Sequence, residues 1–583
     1  MHLSALDIAI VVFYLTAIVS IGVAVKRRAS RGIDSYFLGD RRLPWWALAM
    51  SGSSSYFDIT GTMWIVSLFV VLGLRGMWVQ WIWGFVISVF FAAYMGRWIR
   101  RSGVMTGSEW MVFRFGDTPG GSAARLAYTV YAVLTVTAFL AFAAVGMGKF
   151  IPVFVDVNPQ LGAAVVVALT GVYVILGGFQ GMIFVEVLQT LILSTGALLV
   201  AWLGYSHFDA QRFAAIVPAG WWSLVPVWRL GYAAGTDYYL FGALAIVWFT
   251  KGFVLCLSGP EQLFDFQRFL AAPDGRDAQK LGALWGVIHT IRWPMAMGIA
   301  VLALLGAGGA EFRRVLAQDP ERALPLVLAN YLPQGVAGLA VAALLSGFLA
   351  SFSSCVNAGA SYLVKDIYKR YINPSASDAR LVRISYAAST LLVVAGLGIS
   401  FFAHSINLLF VWIMGTLGAG VLVPNALRWY WWRVNGWGYA YGSFAGMGLS
   451  LLQVLIETIW FPQGIPLYWS FPAIVALTSI VTILASLASE PVGMNTLVDF
   501  YSKTGVWGAW GPVRRLAGEA PRDSAPWRDM GNILLGVPFM TSLYLGAIYI
   551  ILHKWDAASW CAAIVLASGC ALYFAWYRKL PAR

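Results

Sequence analysis

Long apolar runs parted by short polar segments dominate the chain. The first covers about residues 6–25. Others follow at about 44–74, 77–98, 126–152, 161–178, 181–204, 238–258, 283–307, 335–363, 384–403, 407–427, 438–458, 470–488, 532–552 and 556–577. Most match the roughly 20 apolar residues that cross a bilayer as a helix. The pattern therefore predicts an all-α polytopic membrane protein with about 15 transmembrane helices.

Composition agrees. Hydrophobic residues make up 60% of the 583 and charged residues 11%, less than half the charged share of about 25% in soluble domains. Most of the surface must face lipid. The net charge of +13 needs no nucleic-acid partner, because it sorts by loop. With the first helix running from outside to inside, 29 of the 39 Lys and Arg fall in cytoplasmic segments, as the positive-inside rule requires. This predicts an N-terminus outside and a C-terminus inside. No loop is long enough for a separate domain, so residues 1–583 read as one transmembrane domain. Within it, 489–531 reads as an amphipathic membrane-surface stretch, and Trp221, Trp222 and Trp228 as interfacial aromatics.

Other chemistry is excluded by spacing. Cys256, Cys355, Cys561 and Cys570 form no C-x-x-C pair and the five histidines form no metal-ligand pattern. Gly146-Met147-Gly148-Lys149 lacks the remaining elements of a phosphate loop.

Two runs carry interruptions. In the second, Ser51-Gly52-Ser53-Ser54-Ser55-Tyr56-Phe57-Asp58-Ile59-Thr60-Gly61-Thr62 gathers residues that compete with helical hydrogen bonding. It also adds a carboxylate at membrane depth, which is costly without water, an ion or a partner. The seventh has Lys251-Gly252 and then Ser258-Gly259-Pro260-Glu261-Gln262. Broken helices at matching places in two halves point to an inverted-repeat transporter with its sites near the midplane. Repeat one then spans 44–204 and repeat two 238–427, with 5–43 an extra N-terminal helix and loop and 438–583 additional helices. In the ninth run Ala350, Ser353 and Ser354 share one helical face whose oxygens suit a hard monovalent cation; close helix packing through small residues is the competing reading.

Several strings resemble the sodium:solute symporter family, over roughly residues 5–490. They are Tyr36-Phe37-Leu38-Gly39 with Leu43-Pro44-Trp45-Trp46, Ser353-Ser354 followed by Lys365-Asp366-Ile367-Tyr368-Lys369-Arg370, and Gln267-Arg268 followed by Asp277-Ala278-Gln279-Lys280. Leu427-Arg428-Trp429-Tyr430-Trp431-Trp432-Arg433 and the segments after it resemble a bacterial branch with extra C-terminal helices. The resemblance implies the LeuT-type five-plus-five inverted repeat, a bacterial inner-membrane location and a co-transported sodium ion. The ion would be held by the carbonyls of Ser54, Phe57 and Ala350 and the hydroxyls of Ser353 and Ser354. A competing register, keyed on Asp58-Ile59-Thr60-Gly61, moves the first two carbonyls to Tyr56 and Ile59. The first register also lands Gln80-Trp81 on the family's Glu-Trp pair. Glu186 falls where the family has an acid on the inward sodium path.

Gln80, Gln262 and His289 match substrate-contacting positions by place but differ in residue type, and Asp58 stands where sugar-transporting relatives have serine. Asp58, Gln80, Trp81, Gln262 and His289 form the expected solute cavity, with Lys251 available to neutralise Asp58; packing is the alternative for His289. The expected activity is sodium-coupled uptake of a small polar solute, a monosaccharide or related carbohydrate. The alternatives are a proton-coupled carrier, an amino-acid or carboxylate carrier of the same fold, and a membrane solute sensor. No catalytic constellation is expected.

Overall fold

The structure is a computed structural model. It describes residues 4–581 apart from 30–37, 39, 40, 42, 81–85, 234, 235, 260–262, 307, 308, 404, 462, 463 and 519–524, with backbone alone at 19, 21–29, 80, 173, 175–181, 263 and 264. Every regular element among the described residues is helical, and 12 helices are long and apolar enough to span a membrane. The sequence pattern predicts about 15. The first and fifth predicted runs lie in the helices Ala5–Ala29 and Pro159–Ser206, parts of which are described by backbone alone, and the third crosses residues 81–85.

In chain order the helices used below are α1 (Ala5–Ala29), the split pair α2 (Trp45–Tyr56) and α3 (Ile59–Leu72), α4 (87–101), α5 (Pro119–Phe150) and α6 (Pro159–Ser206). There follow α7 (Phe241–Ser258), α8 (Leu263–Ala271), α9 (Gly275–His289), α10 (Arg292–Leu305), α11 (Val336–Ser361) and α12 (Asp378–Ser400). Last come α13 (Gly418–Tyr430), α14 (Gly436–Trp460), α15 (Leu467–Ala488), α16 (Met494–Thr504), α17 (Pro526–Ile551) and α18 (Trp555–Ala575). The runs expected at 161–178 and 181–204 are joined as one helical backbone in α6. Gly177, Gly178 and Gly181 separate them, but each glycine costs a helix only about 1 kcal/mol, and no proline stands between them.

Helix α11 is the core. It is almost wholly enclosed, and its Gly, Ala and Ser residues admit close neighbours where lipid supplies no hydrophobic drive between helices. A Cβ at Gly347 would stand 2.1 Å from the carbonyl oxygen of Phe57. The N-terminus of α11 is held by Asp7 of α1, whose Oδ1 accepts the amides of Gly335 and Gly338 at 2.7 Å each.

Two expectations are overturned for some of their residues, whereas Trp228, Leu516 and Trp527 are exposed. The 489–531 stretch docks on protein: Leu497, Phe500, Val506 and Val513 are fully buried, and Trp510 donates Nε1–H to the Trp429 carbonyl at 2.9 Å. Its apolar residues cover the aromatic ends of α13 and the buried Arg114, which lies 4.7 Å from the Trp510 ring. Trp221 is likewise buried, with its carbonyl accepting the Leu74 amide at 3.0 Å.

The C-terminal pair α17 and α18 attaches through polar contacts. Asp529 meets Arg97 of α4 at 2.5 Å with both side chains buried, and Tyr544 donates to the Gly286 carbonyl at 2.8 Å. Removing one partner of a buried ion pair costs roughly 3–5 kcal/mol, because the other charge stays behind in low dielectric. Asp529→Ala is expected to lower the thermal midpoint in detergent markedly, and Arg97→Met added to it to restore part of the loss. A single-variant midpoint equal to wild type would refute this anchoring role.

Candidate functional site

The predicted break in the second run is present and its local cause is visible. The hydroxyls of Ser54 and Ser55 both donate to the Ser51 carbonyl at 2.9 Å, the serine back-bonding that bends helices. Helix α2 ends at Tyr56, Phe57 takes φ −93° and ψ 43°, and Asp58 is extended. Asp58 then caps α3, its Oδ2 accepting the Gly61 amide at 2.7 Å.

The carbonyls freed by the break need donors, and Arg292 at the start of α10 supplies them. Its guanidinium donates to the Tyr56 carbonyl, to the Asp58 carbonyl at 3.4 Å and to the Thr62 hydroxyl at 3.1 Å. It also pairs with Asp58 Oδ1 at 3.3 Å. Arg292, not Lys251, therefore neutralises Asp58. Lys251 is buried with Nζ 5.2 Å from the Trp248 ring centre. A Cβ at Gly61 would come within 2.5 Å of Asp58 Oδ1 and 2.8 Å of Arg292 Nη2, so this close junction requires glycine.

One turn below the break, α2 meets α11. Ser55 Oγ and Ser354 Oγ are 2.9 Å apart, and Gly347 packs on the Phe57 carbonyl. The Ser54 carbonyl accepts the Phe57 amide at 3.1 Å, and the Ala350 carbonyl accepts the Ser353 hydroxyl at 3.0 Å. Ser354 donates to Glu186 Oε1 at 3.0 Å, and Ser353 shares its one O–H between Glu186 Oε1 and the Ala350 carbonyl, 3.0 Å from each, with lone pairs able to face a cation. Glu186 is thus in direct contact with both serines. Its Oε2 accepts Ser51 Oγ–H and pairs with Arg268 at 3.2 Å. Arg268 also donates to Ser51 at 2.8 Å, Ser55 at 2.6 Å and Ser354 at 2.7 Å.

Arg268 is the main residue that sequence reasoning missed. It counts as a cytoplasmic loop charge there, yet it is 1% exposed. Its place beside Gln267 in a quoted family string was the available signal. Asp265, on the same short helix after the second interruption, is also buried and accepts the Tyr56 hydroxyl; an acid inside Leu263-Phe264-Asp265-Phe266 was its signal. His289 joins the site by packing edge-on to the rings of Tyr56 and Phe57, 6.0 and 6.4 Å between centres. Gln80 is described by backbone alone, and Trp81 and Gln262 lie outside the described residues. Among the described residues no group of three or more His, Cys, Asp or Glu is placed to hold a metal ion.

Residues 36–447 match the sodium:solute symporter family. A sodium/mannose cotransporter of Bos taurus is 23% identical over 506 residues, covering 78% of this chain and 80% of the relative. A sodium/glucose cotransporter of Vibrio parahaemolyticus is 23% identical over 488 residues, covering 77% and 85%. The fold matches the substrate-bound, outward-open structure of a Na+-coupled sialic acid symporter with a TM-score of 0.64 at 18% identity, covering 84% of this chain and 99% of that one.

The geometry at Asp58 separates two roles. Asn caps helices about as well as Asp, so Asp58→Asn keeps the cap and loses only the ion pair, whereas Asp58→Ala loses both. Thermal midpoints are expected to fall in the order wild type, Asn, Ala, with the last step near 1 kcal/mol. Equal midpoints for the two variants would remove the capping role.

Proposed function

The chain belongs to the sodium:solute symporter family, a family of secondary transporters rather than enzymes, and from that premise we propose that it is a sodium-coupled importer of a monosaccharide or related carbohydrate. The observation that carries the coupling ion is the meeting of α2 and α11. The Ser55 hydroxyl of α2 meets the Ser354 hydroxyl of α11, the Phe57 carbonyl at the end of the interrupted helix lies on Gly347 of the same α11, and the α11 serines donate to a carboxylate. Oxygen donors and a nearby anion suit sodium. The assigned ligands are the carbonyls of Ser54, Phe57 and Ala350 and the hydroxyls of Ser353 and Ser354, with Glu186 on the inward path. The Arg292 guanidinium on the Tyr56 carbonyl favours this register over the one using Tyr56 and Ile59, since it sets a fixed positive charge where the latter needs a sodium ligand.

The solute site is assigned to the break itself, from Asp58, Gln80, Trp81, Gln262 and His289. The sugar class is supported by the relatives, which are sodium/mannose and sodium/glucose cotransporters. Lys251 has no role in this assignment. The architecture proposed is the five-plus-five inverted repeat at 44–204 and 238–427, one helix before it and additional helices after it, in a bacterial inner membrane with N-terminus outside and C-terminus cytoplasmic. Sodium bridging α2 and α11 favours the outward state and orders the break for solute, and rocking of the helices then opens the site inward. An inside-negative potential adds about 2.3 kcal/mol per charge per 100 mV. A second reading, an amino-acid or carboxylate solute, is favoured by Arg292, a guanidinium at the break able to face a carboxylate.

Ser353→Ala with Ser354→Ala is expected to abolish sodium stimulation of uptake in proteoliposomes, and full stimulation in that variant would refute the ion site. Equal uptake with sodium replaced by choline at fixed pH would refute sodium coupling and favour proton coupling. A thermal-shift screen of sugars, amino acids and carboxylates, with and without sodium, identifies the solute class, because ligand stabilisation follows affinity. Stabilisation by sugars alone is expected; a shift with carboxylates alone would establish the second reading.

A further inference from the structure

Tyr56 stands between Ser54 and Phe57, whose carbonyls are assigned to the ion, and it is held at both ends. Its own carbonyl accepts from Arg292 of α10, while its hydroxyl donates to Asp265 Oδ2 of α8. Between these two contacts the ring is packed edge-on by Trp285 and His289 of α9, with centres 4.9 and 6.0 Å away. Tyr56 is 6% exposed and Asp265 1%, so water is no substitute partner for either. An acid is expensive to keep inside the bundle. Among the described residues Oδ1 of Asp265 accepts no hydrogen bond, and the Tyr56 hydroxyl is the contact that secures the carboxyl group.

Helix α8 reaches α2 a second time. Three residues after Asp265, Arg268 donates to Ser51 Oγ at 2.8 Å and to Ser55 Oγ at 2.6 Å. Residues 51, 55 and 56 are therefore all bound to α8, and the Ser54 carbonyl lies within the stretch they fix. The same short helix is bound to the opposite wall. Arg268 donates to Ser354 of α11 at 2.7 Å, and Asn357 of α11 donates to Gln267 Oε1 at 3.4 Å. The contacts of α8 thus set α2 against α11 where the assigned ligands face each other. Binding sites need such support, since their groups must be held within about 0.5 Å of the productive geometry.

We infer that Asp265 is a positioning residue of the sodium site: through the Tyr56 hydroxyl it sets the carbonyls of Ser54 and Phe57 at the separation the ion requires, without touching the ion. This rests on the ion site proposed above and adds to it a residue from a helix that contributes no ligand.

Sodium-dependent uptake into proteoliposomes and sodium-induced thermal shifts of the full-length protein test it together. Tyr56→Phe deletes only the hydroxyl. It is expected to raise the half-saturating sodium concentration about fivefold or more, the low end of couplings between linked sites, with a smaller change in maximal rate. Asp265→Leu should match it, and the two together should do no more than either alone, because both remove the same bond. Asp265→Asn keeps an acceptor for the hydroxyl and should recover most of the affinity lost in Asp265→Leu. Tyr56→Phe, which leaves the packed ring in place, decides the case should Asp265→Leu fail to fold. An Asn variant as weak as the Leu variant would overturn positioning, since the lost charge would then be responsible. Lower midpoints without sodium, combined with an unchanged half-saturating concentration in Tyr56→Phe, would also overturn it and leave a purely structural bond. Failure of the underlying ion site reads differently: sodium stimulation then survives Ser353→Ala/Ser354→Ala, whatever Tyr56 does.

Discussion

A helix interrupted inside a bilayer exposes backbone groups that only protein can satisfy, because no lipid atom will hydrogen-bond them. The junction of α2 and α3 meets that constraint with two side chains. Asp58 takes a free amide in the first turn of α3, and Arg292 takes the last carbonyl of α2 and the carbonyl of Asp58 itself. Their mutual pairing at 3.3 Å lets each bury a charge that would otherwise be prohibitive. The break is therefore a stable element with a defined exit direction, and the placement of Phe57 against Gly347 of α11 follows from it.

The second charged centre obeys the same rule in a different place. Glu186 on α6 and Arg268 on α8 are tied together through the serines of α2 and α11, so four helices converge on one polar knot. Hydroxyl groups are well suited to such a knot, since each can donate to the carboxylate and still accept from the guanidinium. Any rearrangement of the bundle that separates α8 from α11 must trade these bonds for others, with water or an entering ion as the exchange partner.

The helices and the break were legible because lipid imposes a length on each run and because Ser, Gly and Asp announce their dislike of a helical interior. The partners of the break were not. Arg292 lies within the apolar run at about 283–307, but choosing it over Lys251 as the mate of Asp58 depends on how α10 is set against α3, which no local pattern encodes. Arg268 was hidden for the opposite reason. The positive-inside rule counts charges by their place in the chain, and a short helix after the second interruption folds back into the core with its arginine still attached. The 489–531 stretch shows a related limit: an amphipathic face looks the same whether it lies on lipid headgroups or on the aromatic flank of α13, and only the neighbouring helix ends decide.

The carboxylate of Asp7 adds a mechanical consequence. By capping the first turn of α11 from its seat on α1, it joins the first helix of the chain to the helix that presents Ser353 and Ser354. A tilt of α11 cannot then be an independent movement. Any tilt of α11 would carry α1 as an outrigger, and the lipid displaced by α1 would load that movement.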